Sequence, residues 1–107
     1  MYDSYVYVLR CAQNKYYVGL TNNFAKRMYY HFTVGNSTKW TAQYPAVKLI
    51  RVFKIRASRS HAVRFEHAIT LLFALRHGLE NVHGGKLCIF NYRAFIAKKL
   101  TATNSAV

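Results

Sequence analysis

The chain has 107 residues, with 16 Lys and Arg against 3 Asp and Glu, and a formal net charge of +13. That length fits one domain with its own core, and 52% hydrophobic with 16% aromatic residues excludes a disordered basic tail. Three carboxylates, Asp3, Glu66 and Glu80, exclude chemistry built on clustered acids: an EF-hand, a two-metal polymerase-type centre, an aspartic-protease dyad or a paired-carboxylate glycosidase.

In chain order, residues 4–11 are aromatic and β-branched and predict a strand. A polar turn at 12–15 and a renewed strand pattern at 16–20 make the pair a β-hairpin. Thr21, Asn22 and Asn23 are N-cap candidates for a helix over 24–34. Residues 46–56 alternate as a third strand, with Pro45 at its start, where a missing N–H does little harm. Ser58 or Ser60 caps a longer helix that ends at Gly78. Asn91 caps a third helix to about Leu100, and the small polar tail 101–107 is expected to fray. No repeat or composition break divides the chain, so a single domain over 1–107 is expected. The order β-β-α-β-α-α predicts a small α+β fold.

The positive charge calls for a polyanion, nucleic acid first and an anionic membrane surface second. No apolar stretch approaches the roughly 20 residues that span a bilayer, and the N-terminus lacks a signal-peptide pattern. Cys11 and Cys88 have no CxxC spacing and read as reduced core thiols. These features predict an intracellular protein, with nucleus or cytoplasm left open. The spacings from His61 to His67 and from His77 to His83 fit no zinc finger and lack paired cysteines.

One residue conflicts with its surroundings. Ala62, Phe65, Ile69 and Phe73 form the apolar stripe of the second helix. Glu66 points into the same stripe, whereas Arg64 and His67 point elsewhere. A carboxylate there is costly unless it is paired, bonded or holding a metal. Helix geometry leaves two readings, a rim glutamate bridged to an arginine and a functional acid at a cleft edge. On the first helix Arg27 and His31 lie four apart on one face with Phe24 and Met28, which suits either a solvated basic patch or a site. Tyr5 and Tyr7 share one sheet face, and Tyr16 and Tyr17 point opposite ways.

Together these pieces resemble the GIY-YIG nuclease family. Tyr5-Val6-Tyr7 resembles the first motif and Tyr17-Val18-Gly19 the second, after nine intervening residues. The segment 20–27 resembles the approach to the family's catalytic arginine at Arg27, and His31 falls where many members keep a histidine. Thr38-Lys39-Trp40-Thr41 and 45–49 resemble the approach to the third strand. Glu66 matches the metal-binding glutamate, and Asn81 resembles a functional asparagine of some members. The resemblance covers residues 4–85 and departs at Tyr5, which replaces the glycine of the first motif.

The resemblance implies a three-stranded antiparallel sheet flanked by helices. It further implies a DNA endonuclease that hydrolyses phosphodiester bonds with one divalent metal, Mg²⁺ or Mn²⁺, and a tyrosine general base. In that scheme Glu66 holds the metal, Arg27 braces phosphate charge, and Tyr7 or Tyr17 is the base, with His31 as proton relay. Nearby cations and a metal are expected to lower a tyrosine pKa from its usual value near 10. Gly19 is expected to let a backbone or a phosphate approach closely where a Cβ would clash. Asn81 either positions a phosphate or caps a loop.

Lys48, Arg51, Lys54, Arg56, Arg59 and Arg64, with Lys39, Trp40 and Tyr44 upstream, suit backbone contacts and base stacking. A diffuse footprint of this kind carries no sequence information. No appended module is expected after the motifs, which leaves a protein partner for targeting open, together with oligomeric state. Within the nuclease reading, a structure-selective role in repair or recombination competes with a small mobile-element nuclease. The alternative function is a non-catalytic basic nucleic-acid-binding module.

Overall fold

A computed structural model describes residues 2–34 and 38–84. Tyr2–Cys11 forms β1 and Lys15–Thr21 forms β2, joined by a single 3-10 turn at Ala12–Asn14. Gln13 and Asn14 take left-handed backbone conformations there, with φ of 60° and 58°, which closes the hairpin in few residues. The two strands pair antiparallel from Tyr5↔Thr21 to Cys11↔Lys15.

Helix α1 (Phe24–Tyr29) starts where the Asn23 side chain accepts from the Lys26 amide at 3.2 Å. The expected helix over 24–34 is α-helical only to Tyr29, and Tyr30–Val34 continues as a π-helical turn. A short helix absent from the sequence reading, α2 (Lys39–Gln43), is fixed by a reciprocal cap between Thr38 and Thr41. Strand β3 (Ala46–Ala57) pairs antiparallel with β1, with register shifts near Val8/Leu9 and Arg10/Cys11. Helix α3 (Arg59–His77) begins where Ser58 Oγ accepts from the His61 amide. It ends at Gly78, whose φ of +99° suits a residue without a Cβ.

The three-stranded antiparallel expectation is corrected here. Strand β4 (Val82–Gly84) adds a fourth strand, parallel to β2, and the sheet order is β3-β1-β2-β4. The fold class, α+β, stands. Three residues carry no readable strand period, and a parallel partner is reached only by crossing back over α3, so the sequence alone does not signal β4. The expected third helix after Asn91, Cys88 and the tail lie outside the described residues.

Alternation along the strands sorts side chains to two faces. Val6, Val8 and Val18 pack with Ile69, Ala74 and Val82 under α3, flanked by Phe53, Phe65 and Phe73. Tyr7, Leu9 and Cys11 lie on the opposite face with Tyr17, Phe24, Met28 and Trp40. Burial pushes the Cys11 thiol up to about 11, as expected of an inert core thiol. No described helix is long and apolar enough to cross a membrane.

Candidate active site

Strand β4 covers β2 only from Tyr16 to Val18, so among the described residues the β2 edge from Gly19 to Thr21 has no ladder partner. A cleft of about 470 Å³ opens there, lined by Tyr7, Tyr17, Leu20, Arg27, Arg59, Val63 and Glu66. It gathers groups from both sheet faces. Tyr7 and Tyr17 come from the α1 side, whereas Val63 and Glu66 come from α3.

Tyr7 sits on the central strand β1 and is 1% exposed. Its cross-strand partner is Gly19, and a methyl built at Gly19 would overlap the Tyr7 phenol. The close approach at Gly19 is thus made by the Tyr7 ring, not by the backbone or phosphate expected there. The phenol is hydrogen-bonded to His31 Nε2 at 2.9 Å, and His31 is also 1% exposed. Rings of Tyr7, Tyr17 and His31 form a triangle, with centroids 6.2 Å apart for the tyrosines and 5.5 Å from each to His31.

Burial and the Arg27 guanidinium push the His31 imidazole down to about 4. It is therefore neutral across the physiological range, and the tautomer with its proton on Nδ1 leaves an Nε2 lone pair for the Tyr7 proton. Burial first, then Tyr17, raises the Tyr7 phenol far above its ordinary value; Arg27 opposes this and Glu66 adds to it. The expected lowering by nearby cations is correct in sign for Arg27 but loses to desolvation. Tyr7 is a neutral phenol at rest.

Glu66 is 6% exposed and lines the cleft. Its backbone carbonyl accepts from Thr70 Oγ1 at 2.7 Å. Glu66 shares the cleft lining with Arg27 and Arg59, a placement that accommodates either reading of this residue. No group of three or more His, Cys, Asp or Glu gathers among the described residues, which does not fit a caged zinc or calcium. A single recessed carboxylate opening into a cleft fits a hard cation that keeps its waters and takes further oxygens from a phosphate.

Arg59 is the cleft residue that sequence reasoning placed elsewhere, in the diffuse basic footprint. It lies seven residues before Glu66, two helical turns along the same face, and that spacing was the available signal. His83 was also missed as a neighbour. Its ring stacks between Trp40 at 5.1 Å and Tyr17 at 6.2 Å. Trp40 also packs on Tyr44 at 4.9 Å, so its ring is taken up in the α1-side core.

The remaining basic residues do not converge on one surface. Lys54 and Arg56 pair with Tyr5 and Asp3 and share the Tyr7 face, and Lys54 lies 3.8 Å from Asp3. Arg51 pairs with Val8 and lines a separate cleft on the α3 side. Lys39, Lys48 and Arg64 are exposed on α2, β3 and α3. Asn81 stands apart from the cleft, donating to the His77 carbonyl at 2.7 Å and accepting from Lys15 Nζ at 2.8 Å. It ties the end of α3 to the start of β2.

Comparison with known proteins agrees with this geometry. A family model described as the GIY-YIG catalytic domain matches residues 3–75. A UPF0213 protein of Natronomonas pharaonis is 37% identical over 70 residues, covering 65% of this chain and 80% of the relative. No solved structure matches the chain.

Proposed function

The chain belongs to the GIY-YIG catalytic-domain family, and from that premise we propose that it is a DNA endonuclease working through Tyr7, His31, Arg27 and Glu66 in the cleft at the open β2 edge. Membership implies nuclease activity on DNA, and nucleases of this family generally depend on a divalent metal. A cation held by Glu66, Mg²⁺ or Mn²⁺, would supply Lewis-acid charge at the scissile phosphate.

This chain's residues do the rest. A water against Tyr7 Oη gives its proton to that oxygen as the phenol proton passes along the 2.9 Å bond to His31 Nε2. The water oxygen attacks phosphorus and the bond to the 3′ oxygen breaks, the bonding pair leaving with that oxygen, which then takes a proton from solvent. No free phenolate need form, which matters because burial makes one unfavourable. Arg27 stabilises the developing phosphate charge, and Tyr17 braces the Tyr7–His31 pair through ring contacts on both. Arg59 adds a second cation in the cleft. The other basic residues, Lys39, Lys48, Arg51, Lys54, Arg56 and Arg64, contribute a diffuse, salt-sensitive attraction. The observation that carries the reading is the buried Tyr7–His31 hydrogen bond beside the cleft that holds Arg27 and Glu66.

We assign the finer role to structure-selective cleavage, as in repair or recombination, within a single domain. The test is metal-dependent cleavage of plasmid, flap, branched and single-stranded DNA, with Glu66→Ala as control. Cleavage of at least one substrate that disappears in Glu66→Ala is expected. Cleavage that persists in that variant would overturn the mechanism. DNA binding without any cleavage would favour the non-catalytic module.

A further inference from the structure

Two clefts on this molecule share one residue. Beside the candidate site lies a second cleft of about 320 Å³, lined by Thr21, Asn22, Asn23, Lys26, Arg27 and Tyr30. Arg27 lines both, so the two adjoin at its side chain. The second holds two cations and no carboxylate, and so suits the anionic backbone of a strand running on from the scissile phosphate.

Tyr30 lines this cleft, and Tyr29 and Phe32 lie within two residues of it in the chain. Tyr29 is 60% exposed, Tyr30 41% and Phe32 45%, and the two tyrosine rings meet edge to face at 5.9 Å. None of the three belongs to either core cluster. His31, among them in sequence, turns inward to Tyr7. The π-helical turn at Tyr30–Val34 adds a residue per turn, which separates the buried histidine from the outward aromatics. Single exposed apolar side chains are ordinary, but here three large rings fall on four consecutive residues next to a basic cleft.

We infer that Tyr29 and Tyr30, with Phe32 beside them, stack the bases of an unpaired DNA strand whose backbone follows Lys26 and Arg27 out of the cleavage cleft. A duplex keeps its bases stacked on one another and offers no faces to these rings. An unpaired strand offers one face per nucleotide, whatever the sequence. This names the substrate class of the proposed nuclease and rests on that reading: DNA with single-stranded character next to the scissile phosphate.

Binding separates the inference from the chemistry. Affinities for a labelled oligodeoxythymidylate and for a duplex of equal length are measured by fluorescence anisotropy in EDTA, for wild type and for Tyr29→Ala/Tyr30→Ala. Stacking of one to two bases predicts a loss of about tenfold or more on the single strand and less than twofold on the duplex. Tyr29→Phe/Tyr30→Phe should restore single-strand affinity, because the ring and not the hydroxyl does the stacking. Circular dichroism melting confirms that the exposed substitutions leave the fold intact. Unchanged single-strand affinity, or equal losses on both ligands, would overturn the inference and leave the nuclease reading standing. Wild type that binds neither ligand would overturn both.

Discussion

The two faces of the central strand differ in chemistry although their residues alternate along one chain. Val6 and Val8 face α3 among aliphatic and phenyl side chains, whereas Tyr7 between them faces α1 and bonds His31. Because β1 is held on both sides by β2 and β3, its backbone cannot shift without breaking two ladders. The α3 face thus supplies cohesion, and the α1 face receives a rigid platform on which a buried phenol and imidazole keep their distance. Glu66 is the exception, a carboxylate from the α3 side that reaches the cleft where the two faces meet at the uncovered β2 edge.

Substitutions that respect or cross this division should separate activity from stability. Glu66→Ala should abolish cleavage in a plasmid-nicking assay while DNA affinity stays within about twofold. Arg27→Ala should slow cleavage by about 10²–10³-fold, the cost of losing a donor aimed at developing charge, read in single turnover with saturating enzyme. Gly19→Ala should then lower the rate by about tenfold, since the new methyl must push the Tyr7 ring off its position and displacement of a reacting group weakens positioning. On the apolar face the pattern should invert. Ile69→Ala should cost about 2–4 kcal/mol of stability in urea denaturation and leave the cleavage rate of the folded protein within about twofold. Lys54→Ala should do least, below about 0.5 kcal/mol, because its contact with Asp3 is an exposed pair.

The α1 face also predicts a pH signature. An unfolded histidine titrates near 6.5, whereas His31 in the fold titrates near 4. Between those values the unfolded chain binds more protons, so stability falls as pH drops below about 6.5, by up to about 3 kcal/mol near pH 4. Urea midpoints across that range should show this slope in wild type and a shallower one in His31→Phe. An equal slope in both would assign the acid sensitivity to other groups.

Much of this division was legible in the sequence. The hairpin followed from two β-branched runs around a polar turn, and α3 from Ser58 before it and Gly78 after it. Glu66 stood out because a charge sat on an apolar helical stripe, which is a local conflict and needs no knowledge of the fold. The Arg27–His31 pair showed through its spacing of four, although only the fold reveals that Arg27 lines a cleft and His31 is buried. What was not legible depends on contacts distant in the chain. Strand β4 is three residues long and pairs across α3, so no window of sequence contains its signal. Trp40 looked like a stacking residue for a ligand, but its partners Tyr44 and His83 are brought to it by folding. The depressed titration of His31 and the raised one of Tyr7 are products of burial, which composition cannot report.

The central claim, that the Tyr7–His31 pair moves the proton of the attacking water, is tested most directly by single-turnover cleavage with Tyr7→Phe. That change removes one oxygen and keeps the ring that packs on Gly19. A rate about 10²–10⁴-fold lower, with DNA affinity within about twofold and an unchanged melting temperature, is the predicted result. A rate equal to wild type would contradict the account.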